Sequence, residues 1–347
     1  MRMTISILLL IISFACKKSG ASNGGGLPKP TADTPIFKGA DISWITQLED
    51  SGYKFYNGAG TSTDCFQLMQ SLGMNVIRLR VWVNPANKYN STADVVKKAV
   101  RAHNLGMRIM IDFHYSDTWA DPGHQTKPAA WASMNFATLT NALGSYTQGV
   151  LDTLKTAGAV PSWVQIGNET DNGMLWPDGK ASTNMANFAA LVNAGYKAVR
   201  AVSDTIKVII HISNGWNNSL FRWMFDGLTA NHAQFDIIGM SLYPSYFSAP
   251  GNWQACNDSC AANMNDMVTR YHKPIMICEV GMPENQASAC EAFLDDLMHK
   301  VKAVSGGNGL GVLYWEPESY APFLSYGLGA FDNTGKPTIA MNAFSTN

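Results

Sequence analysis

Charge is scarce in this chain. Asp, Glu, Lys and Arg make up 15% of its 347 residues and nearly cancel, leaving a net charge of −1. No basic run goes beyond Lys17-Lys18 and Lys97-Lys98. Nucleic-acid binding draws on clustered Lys and Arg to neutralise phosphates, so that class is set aside. No Cys-x-x-Cys pair or His/Cys cluster has the spacing of a zinc site. No Gly-x-Gly-x-x-Gly turn follows an early strand, since Phe37-Lys38-Gly39-Ala40-Asp41 stands there, and a dinucleotide-binding open sheet is disfavoured. No apolar run approaches the roughly 20 residues of a membrane-spanning helix. What is plentiful is apolar and aromatic: 46% of residues are hydrophobic and 11% are Phe, Trp or Tyr. Large domains bury about three quarters of their unfolded surface, so this is core enough for one big unit. The aromatic share also suits a neutral, ring-shaped ligand better than an ionic one.

The first segment reads as address rather than fold. Arg2 precedes the apolar run Ile5 to Ile12, which is followed by Ser13-Phe14-Ala15-Cys16. Residues 1–15 have the layout of a secretory signal peptide. A small residue directly before a cysteine resembles a bacterial lipobox, although Ser13 stands where leucine is usual; Cys16 would then be lipidated. Residues 16–35, rich in Gly, Ser, Pro and Lys, read as a flexible tether. Export is expected, with the protein held at the outer membrane or cell surface by its lipid alone. Mass spectrometry of the mature N-terminus checks this: a diacylglyceryl Cys16 is expected, and an unmodified Cys16 refutes the anchor. Five cysteines remain, Cys65, Cys256, Cys260, Cys278 and Cys290, an odd number that leaves at least one thiol unpaired unless chains cross-link; Cys256 and Cys260 could bridge locally, with Cys278 and Cys290 a competing pair, and the sequence does not choose.

Residues 36–347 are expected to form a single folded unit that carries any chemistry. About eight short apolar runs alternate with helical stretches: Ile36–Asp41, Asn75–Val81, Met107–Phe113, Trp163–Glu169, Lys207–Ile212, Asp236–Ser241, Pro274–Val280 and Leu310–Trp315. They are rich in Val, Ile and Met, as strands covered on both faces must be. The helix over Thr92–Leu105 turns Val95, Val96, Ala99, Val100 and Ala102 inward, with Lys97, Lys98 and Arg101 largely outward. The helix over Asn187–Val202 buries Phe188, Leu191, Val192 and Val199. Eightfold strand–helix alternation predicts a single (β/α)8 barrel with its site at the C-terminal ends of the strands.

Polar and aromatic residues collect at those ends: Asp41; Arg78, Arg80 and Trp82; Asp112, His114 and Trp119; Asn168 and Glu169; His211 and Trp216; Tyr243; Glu279; Trp315 and Glu316. Glu169 and Glu279 each follow an apolar run, on the fourth and seventh strands. Two carboxyl groups across a barrel mouth suit glycoside hydrolysis, one protonating the leaving oxygen and the other attacking the anomeric carbon or activating water. Arg78 and Tyr243 could keep Glu279 ionised, and Asn168 could hold a sugar hydroxyl. Strict alternation would put Gln165 and Gly167 on Glu169's side, Ile275 and Ile277 on Glu279's, and Cys278 toward the helices. Taken singly, a Glu after a strand is more often a helix N-terminal charge; Glu284, Glu316 and Glu318 compete, and His114 and His211 read first as structural histidines.

The stretches FKGADISW, GMNVIRLRVWVNP, IDFHYSDTWADPGHQTKPAAW, WVQIGNET, IGMSLYP, ICEVG and GVLYWEPE, in order from Phe37 to about Glu318, resemble glycoside hydrolase family 53, the arabinogalactan endo-β-1,4-galactanases. The resemblance implies a retaining enzyme, without cofactor, acting on β-1,4-galactan and its oligosaccharides; a monomer is expected. It makes Glu169 the acid/base and Glu279 the nucleophile. It places Asp41, Arg78, Arg80, Trp82, Asp112, His114, Trp119, Asn168, Tyr243 and Trp315 around the substrate, with Arg78 and Tyr243 supporting the nucleophile and Trp82 and Trp119 as stacking platforms. Two departures stand out. Leu242-Tyr243 precedes Pro244 where two tyrosines are common. The segment after Val280 is short, and MPENQASAC lacks the spaced oxygen ligands calcium needs, so no metal is expected there.

Overall fold

The computed structural model describes residues 35–321 and 323–346. The signal, Cys16 and tether expectations lie outside them, except for Pro35. Eight parallel strands, β1 (Phe37–Asp41), β2 (Val76–Val81), β3 (Arg108–Phe113), β4 (Trp163–Ile166), β5 (Lys207–Ile212), β6 (Ile237–Leu242), β7 (Ile275–Val280) and β8 (Gly309–Trp315), pair in sequence order and close β8 onto β1. The outer ring includes α1 (Ile45–Asp50), α2 (Cys65–Ser71), α3 (Thr92–Asn104), α4 (Phe136–Thr156), α5 (Met185–Val202), α6 (Asn218–Ala230), α7 (Trp253–Tyr271) and α8 (Ala287–Lys302). This is a (β/α)8 barrel. Several helices start where a short polar side chain caps an orphan backbone N–H: Asp64, Ser91, Asn135, Asn184, Asn217 and Asn252 each accept from the residue three further on.

Two apolar cores hold the cylinder. The larger lies between strands and helices. The smaller plugs the barrel with Val76, Met110, Trp163, Ile209, Ile237, Met276, Cys278 and Leu313, one or two from each of seven strands, with Phe37 of β1 packed edge-on against Trp163. The plug blocks the bottom, so polar inward-facing groups have room only above it, at the C-terminal mouth.

Three expectations need correction. Cys278 does not face the helices but sits in the plug. Ile275 and Ile277 are the ones that face the helices. The reason is a bulge. Met240 of β6 pairs with Ile277, yet Ser241 pairs with Glu279, and β8 shows the same one-residue slip from Val312↔Ile277 to Tyr314↔Val280. One extra residue in β7 lets Cys278 and Glu279, neighbours in sequence, both turn inward. Lys98 is fully buried, not outward. It lies one turn from Val95 and Ala102 on the buried stripe, pairs with Asp94 at 2.8 Å and donates to the Ser43 carbonyl at 2.7 Å. Neither candidate disulfide forms; Cys65, Cys256, Cys260, Cys278 and Cys290 are buried free thiols. Side chains four apart on α7 have Cβ atoms about 5–6 Å apart, too far for the roughly 3.8 Å that a disulfide requires. Cys278 and Cys290 lie in different cores, one in the plug and one on the buried face of α8 in the larger core.

Candidate active site

Strand β4 stops at Ile166, three residues sooner than its composition suggests. Gly167 turns the chain with φ +83°, and a Cβ there would lie 2.5 Å from the Thr170 side chain. Glu169 also adopts a left-handed conformation, φ +42°. This is uncommon for a non-glycine residue and is held by its neighbours. The Thr170 N–H and hydroxyl both donate to the His211 carbonyl, at 2.9 and 3.1 Å, stitching the turn to β5. The turn leaves Asn168 and Glu169 at the mouth rather than on the regular pleat.

Glu279 reaches the same place from β7. Arg78 Nη2 pairs with its Oε1 at 2.8 Å, and the Tyr243 hydroxyl donates to its Oε2 at 3.1 Å. Arg78, wholly buried, also binds Asp41 at 2.7 Å and Asp112 at 2.9 Å, and donates to Asn168 Oδ1 at 2.9 Å. One guanidinium therefore sits among three carboxylates, a site rich in acid for its size. Burial pushes Glu279 up to about 7 although Arg78 pulls it down, and the charges of Asp112 and Asp41 add to the rise. Burial, then the charge of Glu279, hold Glu169 well above the ordinary carboxyl range, while the Ser241 hydroxyl, 2.6 Å from its Oε1, opposes this.

Both glutamates line one open cleft of about 660 Å³. Of the other expected site residues, His114, Trp119, Asn168, Tyr243 and Trp315 share its wall. Asp41, Arg78, Arg80, Trp82 and Asp112 do not: they lie buried, outside the lining. Trp82 is thus not a stacking platform in this structure; its Nε1 donates to His114 Nδ1 at 3.2 Å. The Ala120 N–H donates to the same nitrogen, so His114 carries its proton on Nε2 and donates it to Asp112 at 2.9 Å. Arg80 binds Glu316 and lies against the rings of Trp44, Trp82, Trp119 and Trp315, 4.4 Å from the Trp119 centroid. It props two wall tryptophans from behind. Glu316 and Glu318 are fully buried and Glu284 is exposed away from the cleft wall, so the competing glutamates do not share it.

Sequence reasoning missed Asp121, Asn214, Tyr246, Tyr326 and Leu328 on the wall. Tyr246, three residues past Tyr243, could have been found from its place after β6. Tyr326 and Leu328 come from the long loop after β8 and carry no local signal. Among the described residues no group of three or more His, Cys, Asp or Glu side chains is placed to hold a metal ion. No helix there is long and apolar enough to cross a membrane.

A closed parallel barrel whose mouth brings two carboxyl groups, with a dense acid–arginine network under one of them, into an aromatic cleft defines a (β/α)8 glycoside hydrolase. Comparison with known proteins narrows the class. The family model of glycosyl hydrolase family 53 matches residues 37–344, and the chain belongs to that family. An arabinogalactan endo-β-1,4-galactanase of Thermothelomyces thermophilus is 32% identical over 322 residues, 86% of this chain and 94% of that one. A solved fungal β-1,4-galactanase superposes with a TM-score of 0.83 at 29% identity, covering 90% of this chain and 100% of the other. The family 53 catalytic domain of Ignisphaera aggregans gives 0.81 at 28% identity, with 91% and 97% covered.

Proposed function

We propose that this enzyme cleaves internal β-1,4-galactosidic bonds of galactan and type I arabinogalactan with retention of configuration. The observation that carries the mechanism is the unlike setting of two carboxyl groups on one cleft. Glu279 touches a cation and a phenol, both of which favour its anion; Glu169 is held up by burial and by the Glu279 charge. Glu279 is therefore the nucleophile and Glu169 the acid. The Glu279 carboxylate attacks the anomeric carbon as the glycosidic C–O bond breaks, and the proton of Glu169 goes to the departing oxygen. Then Glu169 takes a proton from water, the water oxygen bonds the anomeric carbon, and the bond to Glu279 breaks. Retention requires carboxyl groups about 5–5.5 Å apart. Asn168 and His114, fixed by Arg78 and Asp112, face the attacked sugar, and Trp315 and Trp119 offer it their rings. The galactan reading draws its support from the names of the relatives. Export, with the lipid on Cys16, suits a polysaccharide too large to enter a cell.

The test is reducing-sugar release from purified galactan, mannan and β-glucan, with product sizing and a pH profile. Internal cleavage of galactan alone is expected. In kcat/KM, Glu279 must lose its proton and Glu169 keep its own. The profile should be a bell whose acid limb lies above the usual carboxylate range, because burial raises Glu279. Faster release from mannan or glucan refutes the substrate. A flat profile through pH 5–8 refutes the assignment of the pair.

A further inference from the structure

The proposed acid has partners that the two-carboxylate mechanism does not use. Ser241, at the end of β6, places its Oγ 2.6 Å from Glu169 Oε1 and 2.8 Å from His211 Nε2. Both residues are wholly buried. A serine hydroxyl has one proton, so its direction depends on which imidazole nitrogen carries hydrogen. The other nitrogen answers this. His211 Nδ1 lies 3.3 Å from the Glu169 backbone N–H, which can only donate. It is also 2.9 Å from Gln165 Nε2. That amide cannot flip, because its Nε2 donates to Asp112 at 2.6 Å while its Oε1 accepts from Arg78. Asn168 Oδ1, 3.0 Å from Nδ1, accepts from Arg78. The second Gln165 Nε2 hydrogen is shared between that oxygen and Nδ1, 3.1 and 2.9 Å away, so it is the Glu169 backbone N–H that fixes Nδ1 as an acceptor. Nδ1 is therefore bare, Nε2 bears the hydrogen and points it at Ser241, and the one proton of Ser241 goes to Glu169 Oε1.

We infer that His211 and Ser241 are positioning residues that occupy Glu169 Oε1 with a donated hydrogen bond and so confine the transferable proton to Oε2. Among the described residues Oε2 makes no hydrogen bond, so it is free to meet the glycosidic oxygen. The inference rests on Glu169 being the acid/base. The same bond strengthens when Glu169 becomes an anion, which makes it a better acid in the first step and a steadier base in the second. Burial, then the charge of Arg78, hold His211 well below its ordinary range, so it stays neutral while Glu169 cycles. The charged and titratable groups around the acid are Glu279 from β7, Arg78 from β2, Tyr243 just past β6 and Asp171 beyond β4. None of these donates a hydrogen bond to Glu169; Ser241 does.

The experiment compares wild type, Ser241→Ala, Ser241→Thr and Glu169→Gln on aryl β-galactobiosides with a poor and a good leaving phenol. Loss of the donated bond disfavours the Glu169 anion. In Ser241→Ala the alkaline limb of kcat/KM should therefore move up by roughly one pH unit, with the acid limb unmoved. Its kcat/KM should fall roughly fivefold on the poor leaving group and stay within about twofold on the good one. Ser241→Thr, which keeps the hydroxyl, should restore the limb. Nitrogen-15 shifts of His211 should report a neutral ring protonated at Nε2 across the active pH range. An unmoved alkaline limb, equal losses on both substrates, or an Nδ1–H ring would overturn the inference. Glu169→Gln reports separately on the underlying reading: if its kcat/KM too falls equally on both phenols, Glu169 is not the acid, whatever Ser241 does.

Discussion

Glu279→Ala is expected to lose at least about 10⁴-fold in kcat on galactan, because in the proposed double displacement Glu279 forms the covalent bond that splits the reaction in two. The loss should come without unfolding. Burial raises the Glu279 carboxyl to about 7, so its ionised form is disfavoured in the fold relative to an unfolded chain titrating near the ordinary value. Above that ordinary range the buried anion weakens the fold. Its removal should leave the unfolding temperature unchanged or higher, and Arg78 still keeps Asp41 and Asp112. The variant leaves a small gap on the face from which the carboxylate would attack. Azide supplied with a dinitrophenyl β-galactobioside should fill it and yield the α-glycosyl azide, identified by nuclear magnetic resonance. Near-normal turnover on galactan, or recovery of the β-azide, would remove Glu279 from the nucleophile's role.

Glu169→Ala should give the opposite stereochemistry. General acid–base catalysis is worth roughly 10²–10⁴-fold, and that is the expected loss on galactan, whose sugar leaving group needs a proton. A dinitrophenolate leaves without one, so the first step should stay fast on that substrate and the glycosyl-enzyme should accumulate. Azide needs no base, and its attack on that intermediate should release the β-glycosyl azide, with a faster second step. The two alanine variants thus give opposite anomers from one substrate and one anion. An α-azide from Glu169→Ala, or no leaving-group dependence, would refute its assignment as the acid/base.

The glutamates are also where local and long-range information part. The eight apolar runs are legible because a strand covered on both faces must be apolar throughout, and seven of their eight ends fall within a residue of the observed strand ends. The fourth strand ends early because Gly167 and Glu169 take left-handed backbone angles, and only the packing of Thr170 on β5 makes that turn stable. The inward direction of Glu279 was expected for the wrong reason. Alternation from Ile275 would have aimed it at the mouth and Cys278 at the helices, whereas a bulge fixed by the registers of β6 and β8 turns both inward. Lys98 followed the same logic: a charge reads as exposed until Asp94 and the Ser43 carbonyl are folded up to meet it.

By itself the sequence determined the barrel and the gathering of polar residues, Glu169 and Glu279 among them, at the C-terminal ends of its strands, because strand period, helix period and the residues at strand ends are local properties of the chain. Tertiary structure alone decided which polar residues touch the cleft and which lie under it. Asp41, Arg78, Arg80 and Asp112 look no different in sequence from Asn168 or His114. Their depth depends on how far each strand rises in the closed cylinder and on how the plug and the wall tryptophans fill the space around them. Proton direction at Glu169 is decided later still, by His211 and Ser241 from two other strands, since a hydrogen bond needs both partners in place before it can choose an orientation.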